Sequence, residues 1–519
     1  MSTSSEPMIE RERARSWWPV VAGAVTGGLL FSTDFPAHAW WLQAVALLPW
    51  LWSLGRWRPG PGRGALSGAA LGAVYTGGLS VMLKFPILLA LGLAGYLTVF
   101  WALLGAGAAW IWRGSEKGPG GLVGAALGVA CLAALVEWLN VSVIPVWGTA
   151  QVFTRVWSAA PWAIQITSVT GVLGLVWVVF ALQTLAVAAL APGAGAATPG
   201  AGAATSGAGE ATPGAGEATP GAARRGPALV ALLGLLLLVV GANALLWPRE
   251  RLGSVKVAAV GWTFENLPAG KRTPWRQTWE QVALPLVRES ASRGAKLVVT
   301  PETGLWIPKG EAAVFRERVA RVARELGVSL AVGWFDHARN DNRIFFVGEE
   351  GKARGEYAKT HLIMTLEKYR PGDGQRVVTA LGPYRLGGMI CQDDNFTDLA
   401  RGYGKSGAHL LAVPTNDWRE VRHYHLENSR FRAVDSRYGV VRAATNGWSA
   451  IVTARGEVLA RVDHFAKGPA LVVAELPLYA PGSFYARVGD WVVVAPCALW
   501  LCVLVLVRIR RARAARTRG

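Results

Sequence analysis

Leu386-Gly387-Gly388-Met389-Ile390-Cys391-Gln392-Asp393-Asp394 is a short apolar run that ends in a cysteine and passes at once into acid. It reads as a buried strand that stops and presents a thiol at its carboxyl end, where open α/β sheets gather their chemistry. A buried cysteine also serves as plain core, so the stretch alone leaves both readings open. Two other segments tip the balance. Val298-Val299-Thr300-Pro301-Glu302 is a second strand ending in a carboxylate, and Tyr357-Ala358-Lys359-Thr360-His361-Leu362 places a lysine just after a third strand-like run. Alone, Glu302 reads as a surface turn residue and Lys359 as a solvated charge. Their shared placement at strand ends sets them apart.

The surrounding chain is unlike an ordinary soluble domain. Of its 519 residues 52% are hydrophobic and 17% charged, with mean hydropathy +0.30. A soluble domain carries about 25% charged residues, so much of this chain belongs in lipid. Apolar runs lie at 17–33, 39–55, 64–83, 85–112, 119–139, 165–191, 227–247 and 487–507. Each approaches the roughly 20 residues that cross a bilayer, which predicts about eight transmembrane helices. Glycine and alanine recur in several runs, as in Gly64–Gly78, and suit close helix packing. The first run lacks a convincing cleavage site, so no removable signal peptide is expected.

The net charge of +19 and pI near 10.3 would suit a nucleic-acid partner. The basic residues instead sit beside the apolar runs, and no helix-turn-helix, zinc-finger or RNA-binding signature occurs, so no nucleic-acid partner is expected. Loops with Arg11, Arg13 and Arg15, with Arg56, Arg58 and Arg63, with Arg113 and Lys117, and with Arg224 and Arg225 alternate with poorly basic ones. The latter hold Asp34 and His38, Lys84 alone, or Arg155 alone. Counted by the positive-inside rule, this alternation predicts cytoplasmic termini and a large insert on the outer side. The expected organisation is seven spans within 1–247, an extramembrane domain at 248–486, and a last span with a basic tail at 487–519. Residues 191–226, rich in Ala, Gly, Pro and Thr, read as a flexible cytoplasmic linker.

Strand and helix signals alternate through the insert. Ser254–Val260, Lys296–Thr300, Ser329–Gly333, Arg343–Val347, Ala353–Lys359 and His409–Pro414 read as strands, and 376–386 with 386–391 as a hairpin. Trp275–Arg293, Gly310–Leu326, Phe396–Gly407 and His423–Arg437 read as helices, and four more strands follow between Tyr438 and Glu475. This is an α/β domain with added antiparallel pairs. Of the cysteines, Cys131, Cys497 and Cys502 lie in apolar runs, leaving Cys391 as the insert's lone thiol and its nucleophile candidate. No CxxC or histidine-rich pattern marks a metal site. Glu137, at the end of the fifth run, reads as an interfacial helix end or as a wall of a lipid-access cleft.

Glu302, Lys359 and Cys391, in that order and each at a strand end, resemble the nitrilase (carbon–nitrogen hydrolase) superfamily. With the flanking spans, the chain from about Ser16 to about Arg510 is similar to the apolipoprotein N-acyltransferase family of the bacterial inner membrane. The resemblance implies a four-layer αββα sandwich beside the transmembrane helices. It implies Cys391 as nucleophile, Glu302 as base, Lys359 as stabilising cation, and Glu367, eight positions on, as a second glutamate that orients the lysine. Asp393 stands where the family has a glutamate two after the cysteine. Trp275 corresponds loosely to a substrate-gating aromatic, and Asn416 and Trp418 to part of a shortened Asn-Asp-Ala-Trp-Phe motif. Ala444-Thr445-Asn446-Gly447 matches a Thr-Asn-Gly segment, whereas Met364-Thr365-Leu366 replaces Pro-Phe-Gly. The implied reaction is a ping-pong acyl transfer through a Cys391 thioester, without metal or organic cofactor. The donor would be a phospholipid such as phosphatidylethanolamine, and the acceptor the α-amino group of a diacylglyceryl lipoprotein. The catalytic domain would be periplasmic. A membrane-tethered nitrilase-type amidase, an N-acyltransferase paralogue with another acceptor, or a non-enzymatic transporter or scaffold are the alternatives.

Overall fold

A computed structural model describes residues 17–34, 39–115, 119–190 and 222–517. Most of the expected linker 191–226 lies outside these residues, as do Arg11, Arg13, Arg15, His38, Lys117 and Arg518. The first half is helical: α1 (Trp18–Asp34), α2 (Leu48–Trp57), α3 (Pro61–Met82), α4 (Ile87–Arg113), α5 (Pro119–Trp138), α6 (Thr167–Leu190) and α7 (Ala222–Leu245). A further long helix, α12 (Trp491–Arg516), closes the chain.

Among the described residues six helices, not eight, are long and apolar enough to cross a membrane. They are α3, α4, 121–143, α6, 226–245 and α12. Helix α1 has 17 residues. The expected span 39–55 is broken into a 3-10 turn, Trp40–Ala44, and the ten-residue α2. Ten residues rise only about 15 Å, half of a hydrocarbon core. Composition hides the break because the polar groups it frees are met from within the bundle. Leu47 N donates to Gln183 Oε1 at 2.9 Å, Gln183 Nε2 to the Gln43 carbonyl at 3.1 Å, and Gln43 Nε2 to the Phe153 carbonyl at 2.7 Å. Irregular backbone survives at membrane depth only where protein satisfies it in this way.

Helices α3 and α4 approach backbone to backbone. A Cβ on Gly68 would strike the Trp101 carbonyl, and one on Gly105 the Gly64 carbonyl. Small residues at such crossings replace the hydrophobic driving force that lipid removes.

The second half is an α/β unit of two sheets. Its strands are β1 (Gly253–Gly261), β2 (Leu297–Val299), β3 (Leu305–Ile307), β4 (Ser329–Asp336), β5 (Asp341–Val347), β6 (Ala353–Ala358), β7 (Val378–Leu381), β8 (Tyr384–Gly388), β9 (Leu410–Asn416), β10 (Gly439–Thr445), β11 (Trp448–Val452), β12 (Val458–Asp463) and β13 (Ala470–Leu478). One sheet runs β13-β1-β2-β4-β5-β6 with β3 paired to β4, and the other runs β12-β11-β10-β9-β8-β7. Their inner faces share one core, in which Val257, Val299 and Phe346 meet Leu411, Val440 and Ile451. Helices α8 (Leu284–Ser292) and α9 (Ala312–Leu326) cover the first sheet through Val287, Phe315 and Val319. Helices α10 (Thr397–Lys405) and α11 (Arg422–Ser436) cover the second through Tyr403, Leu426 and Ala433. The result is the αββα layering expected from the sequence.

Helix α11 has a second allegiance. Its Tyr424, Phe431 and Val434 belong to the core of the transmembrane bundle. Arg155, fully buried between spans, reaches both halves of the molecule. It pairs with Asp34 at the end of α1 and, through Nε at 2.7 Å, with Glu427 of α11. Its guanidinium also lies over the Tyr424 ring. The residue read from sequence as a sparse loop charge is thus an ionic rivet.

Arg155→Met is expected to lower stability by about 3–5 kcal/mol, because it strands two buried carboxylates; a melting profile in detergent unchanged from the native chain would refute the rivet. Gly68→Leu is expected to cost about 1–3 kcal/mol by overpacking the α3–α4 crossing, seen in the same melt.

Candidate active site

Strand β8 stops at Gly388, and the chain turns through a 3-10 segment, Cys391–Asn395. Cys391 itself takes φ +49°, a left-handed conformation rarely adopted by a residue with a side chain. Such strain persists only where the surroundings impose it. Here Asp393 does so. Its carboxylate accepts from Ile390 N at 3.1 Å, Tyr357 hydroxyl at 2.7 Å, His361 N at 2.7 Å and Thr360 N at 3.2 Å. One buried side chain therefore ties the cysteine elbow to the loop that follows β6. Asp393 is a fixing point for two segments rather than a group aimed at substrate.

That loop delivers Lys359, whose side chain is wholly buried. Its ammonium donates to Glu302 Oε1 at 2.8 Å and to Glu367 Oε1 at 2.7 Å. Glu367 Oε2 in turn accepts from Ile363 N at 2.7 Å, which holds the second glutamate in place. Glu302 follows β2 and is buried; its Oε1 also accepts from Asn342 Nδ2 at 2.7 Å, and its carbonyl from the Thr445 hydroxyl at 2.9 Å. Its Oε2 is buried without a protein hydrogen bond. The Cys391 thiol lies close enough to favour the charged form of this carboxylate.

The electrostatics follow from these positions. Burial pushes the Cys391 thiol up to about 11; the Glu302 charge adds to this, while Lys359 and His425 oppose it. Burial likewise raises Glu302, as does Glu367, against the pull of Lys359. Burial alone would lower Lys359, but Cys391 and Glu302 outweigh it and hold the ammonium charged. The group is a thiol kept protonated at rest, beside a carboxylate with raised proton affinity and a permanent cation.

Cys391 lines a narrow cleft with walls from both halves of the molecule. Phe85 and Trp147 come from the helical half, and Trp418, Asn416 and Ile363 from the α/β unit. Asn416 receives a weak 3.8 Å contact from the thiol at its carbonyl and a 3.2 Å hydrogen bond from Asn446 at its side chain. Trp418 donates from Nε1 to the Leu83 carbonyl at 2.7 Å and packs edge-on against Phe85. Trp275 is not brought here. It lies in the outer core against Phe315 of α9 and donates to Glu311 at 2.7 Å. Glu137 lines a neighbouring cavity that shares Gln151 with this cleft, and accepts from Asn140 at 3.0 Å.

Sequence reading missed His425 on α11. Its ring nitrogen, the Cys391 sulfur and an Asp417 oxygen all lie within 4.8 Å of one another. The signal was present: His425, Asn428, Ser429 and Arg432 form a polar stripe at helical spacing, and the structure buries every one of them. A helix with both faces covered and one of them polar points to a site.

Residues 256–482 match the carbon–nitrogen hydrolase family. The apolipoprotein N-acyltransferase of Geobacter metallireducens is 28% identical over 246 residues, covering 41% of this chain and 47% of that protein. The nitrilase of Pyrococcus abyssi is 32% identical over 223 residues, covering 37% of this chain and 81% of that protein. Among solved structures, an amidase from Nesterenkonia sp. aligns over 44% of this chain and 92% of its own at 22% identity, with a TM-score of 0.37. The matched segment spans about half of the Geobacter relative's length.

Alkylation of Cys391 by iodoacetamide, read by peptide mass, is expected to accelerate with pH toward about 11. Lys359→Met removes a charge that favours thiolate, so its curve should move to higher pH. Glu302→Gln removes one that opposes thiolate, so its curve should move to lower pH. Each displacement should reach about tenfold in rate at fixed pH; curves that coincide with the native one would dissolve the proposed coupling.

The buried thiol, carboxylate and ammonium at three strand ends, the αββα layering and the matched segment agree: the chain belongs to the carbon–nitrogen hydrolase family.

Proposed function

We propose that this chain is an apolipoprotein N-acyltransferase. The observation that carries the reading is the meeting of Cys391, Lys359 and Glu302 at a cleft walled partly by transmembrane-side residues. Curated relatives that bear that name support it. A soluble amidase has no need of six apolar helices beside its thiol; an enzyme whose two substrates are both lipid-anchored does, since confinement raises their local concentration.

The steps follow from the groups present. Glu302 takes the thiol proton, and the sulfur attacks the sn-1 ester carbonyl of a phospholipid, phosphatidylethanolamine in the first instance. Lys359 spends two of its three N–H donors on Glu302 and Glu367, leaving one for the developing oxyanion. The carbon–oxygen bond breaks, Glu302 returns the proton to the leaving glycerol oxygen, and a lysophospholipid departs. The α-amino group of an S-diacylglyceryl cysteine then attacks the thioester. Glu302 accepts its proton, the carbon–sulfur bond breaks, and the proton returns to sulfur. Glu367 orients the lysine, Asp393 fixes the elbow, and Asn416 and Trp418 shape the substrate wall. The α/β unit, 248–486, would face the periplasm of a bacterial inner membrane with both termini cytoplasmic, as the alternation of loop charge supports.

A nitrilase-type amidase using water is the second reading, favoured by the match to the Pyrococcus abyssi nitrilase. One experiment separates them. Purified protein incubated with phospholipid and no acceptor should gain the mass of one acyl chain on Cys391, and Cys391→Ala should gain none. Adding a diacylglyceryl lipopeptide should discharge the adduct as an N-acyl product. An unmodified Cys391 would remove the acyltransferase reading, and release of free fatty acid in place of the N-acyl product would favour water as acceptor.

A further inference from the structure

Glu302, Glu367 and Lys359 together carry one more negative than positive charge beside the sulfur, which opposes the thiolate that the reaction needs. A further buried titratable group lies beside the sulfur on α11. His425 is buried, and both of its ring nitrogens face carboxylates: Nδ1 lies 2.8 Å from Asp417 Oδ1, and Nε2 lies 3.0 Å from Asp394 Oδ1 and 3.2 Å from the Cys391 carbonyl. All three partners are acceptors, so both nitrogens must carry protons. The ring is therefore an imidazolium, unlike the neutral histidine of a thiol–imidazole base pair.

The charges around it close into a set. Asp394 also accepts from the Ser429 hydroxyl at 2.5 Å and faces Arg442 at 3.5 Å, and Asp417 pairs with Arg442 Nη2 at 2.9 Å. Two carboxylates are matched by two cations, Arg442 and His425, all four buried. Arg442 is held by its own two acids and by Ser429, whereas a His425 ring nitrogen lies within 4.8 Å of the sulfur.

We propose that His425 is a positioning residue: an imidazolium clamped between Asp394 and Asp417 that gives the Cys391 thiolate a second positive charge, from α11, beside that of Lys359. The inference rests on the reading of Cys391 as nucleophile. Burial and Arg442 oppose the charge on His425, but Asp394, Asp417 and Cys391 outweigh them and raise its proton affinity well above the ordinary histidine value. The imidazolium is accordingly not the base, a task left to Glu302.

The test is the pH profile of Cys391 alkylation by iodoacetamide, read by peptide mass, in the full chain in detergent. It needs neither phospholipid nor lipoprotein, so it can fail while acyl transfer stands. His425→Gln leaves an unmatched carboxylate near the sulfur and should displace the profile to higher pH, slowing alkylation about tenfold at fixed pH. The double variant His425→Gln/Asp394→Asn restores neutrality and should return the native profile, an outcome that a merely structural role does not give. A His425→Gln profile superimposed on the native one would overturn the proposal. Should the single variant not fold, the double variant decides alone. A native profile supports the imidazolium, and displacement in either direction overturns it, since a neutral His425 predicts movement to lower pH.

Discussion

A lysine ammonium with no exposed surface is the constraint around which this site is built. Removing an ammonium from water costs several kcal/mol unless opposite charge and hydrogen bonds replace the solvent. Glu302 and Glu367 do so at 2.8 and 2.7 Å, and the chain between 357 and 367 is wrapped to bring them there. Ile363 N secures Glu367, Asp393 secures Thr360 and His361, and Asn342 shares Glu302 with the lysine. The arrangement fixes the cation, at the expense of leaving surplus negative charge near the thiol. Burial, joined by the Glu302 charge, drives the Cys391 thiol upward despite a lysine at hand. A protonated, unreactive resting thiol is the consequence. In the proposed mechanism it would become a nucleophile only as Glu302 takes its proton.

The elbow at Cys391 answers a geometric demand of the same site. A strand ending straight would leave its last side chain packed between the sheets. With the left-handed turn at φ +49°, Cys391 stays packed in the core between the sheets and also lines the cleft. Strain of this kind costs on the order of 1–3 kcal/mol, and persists because surrounding bonds over-determine it. Asp393 provides that over-determination, with donors from four separate residues.

What the sequence revealed and what it hid have physical reasons. Glu302, Lys359 and Cys391 were legible because each interrupts an apolar run, and a charge or thiol at the end of a strand is local information. The strands of the α/β unit were legible for the same reason, although three-residue β3 fell below any periodic signal. The break at 39–55 was not, since tryptophan, leucine and alanine are as apolar in a turn as in a helix. The deciding feature is Gln183, 136 residues from the Leu47 amide it satisfies. Arg155 was read as a weak marker of topology because nothing near it in sequence carries its partners; Asp34 and Glu427 lie 121 and 272 residues away. Trp275 is placed away from the cleft. A motif-like position was granted a site role, while its indole was committed to Glu311 and the outer core.

Helix α11 explains why the two halves of the molecule cannot be considered apart. Successive residues point to different masters: Tyr424 and Glu427 meet Arg155 and the helical bundle, whereas His425, Asn428 and Ser429 meet the turn that carries Cys391. Around the same cleft, Trp418 is bonded to Leu83 and packed on Phe85, and Lys84 is paired with Glu420 at 2.7 Å. Thr149 is bonded to the carbonyl of Asn395, at the end of the cysteine turn. The reactive sulfur therefore has its position set from two sides, by the sheets through Asp393 and by the transmembrane-side segments through α11 and the Cys391–Asn395 turn. Glu302, Lys359 and Cys391 each follow a strand of the α/β unit itself. The additional ties here have no purpose in fixing those three relative to one another. They fix all three relative to the apolar helices.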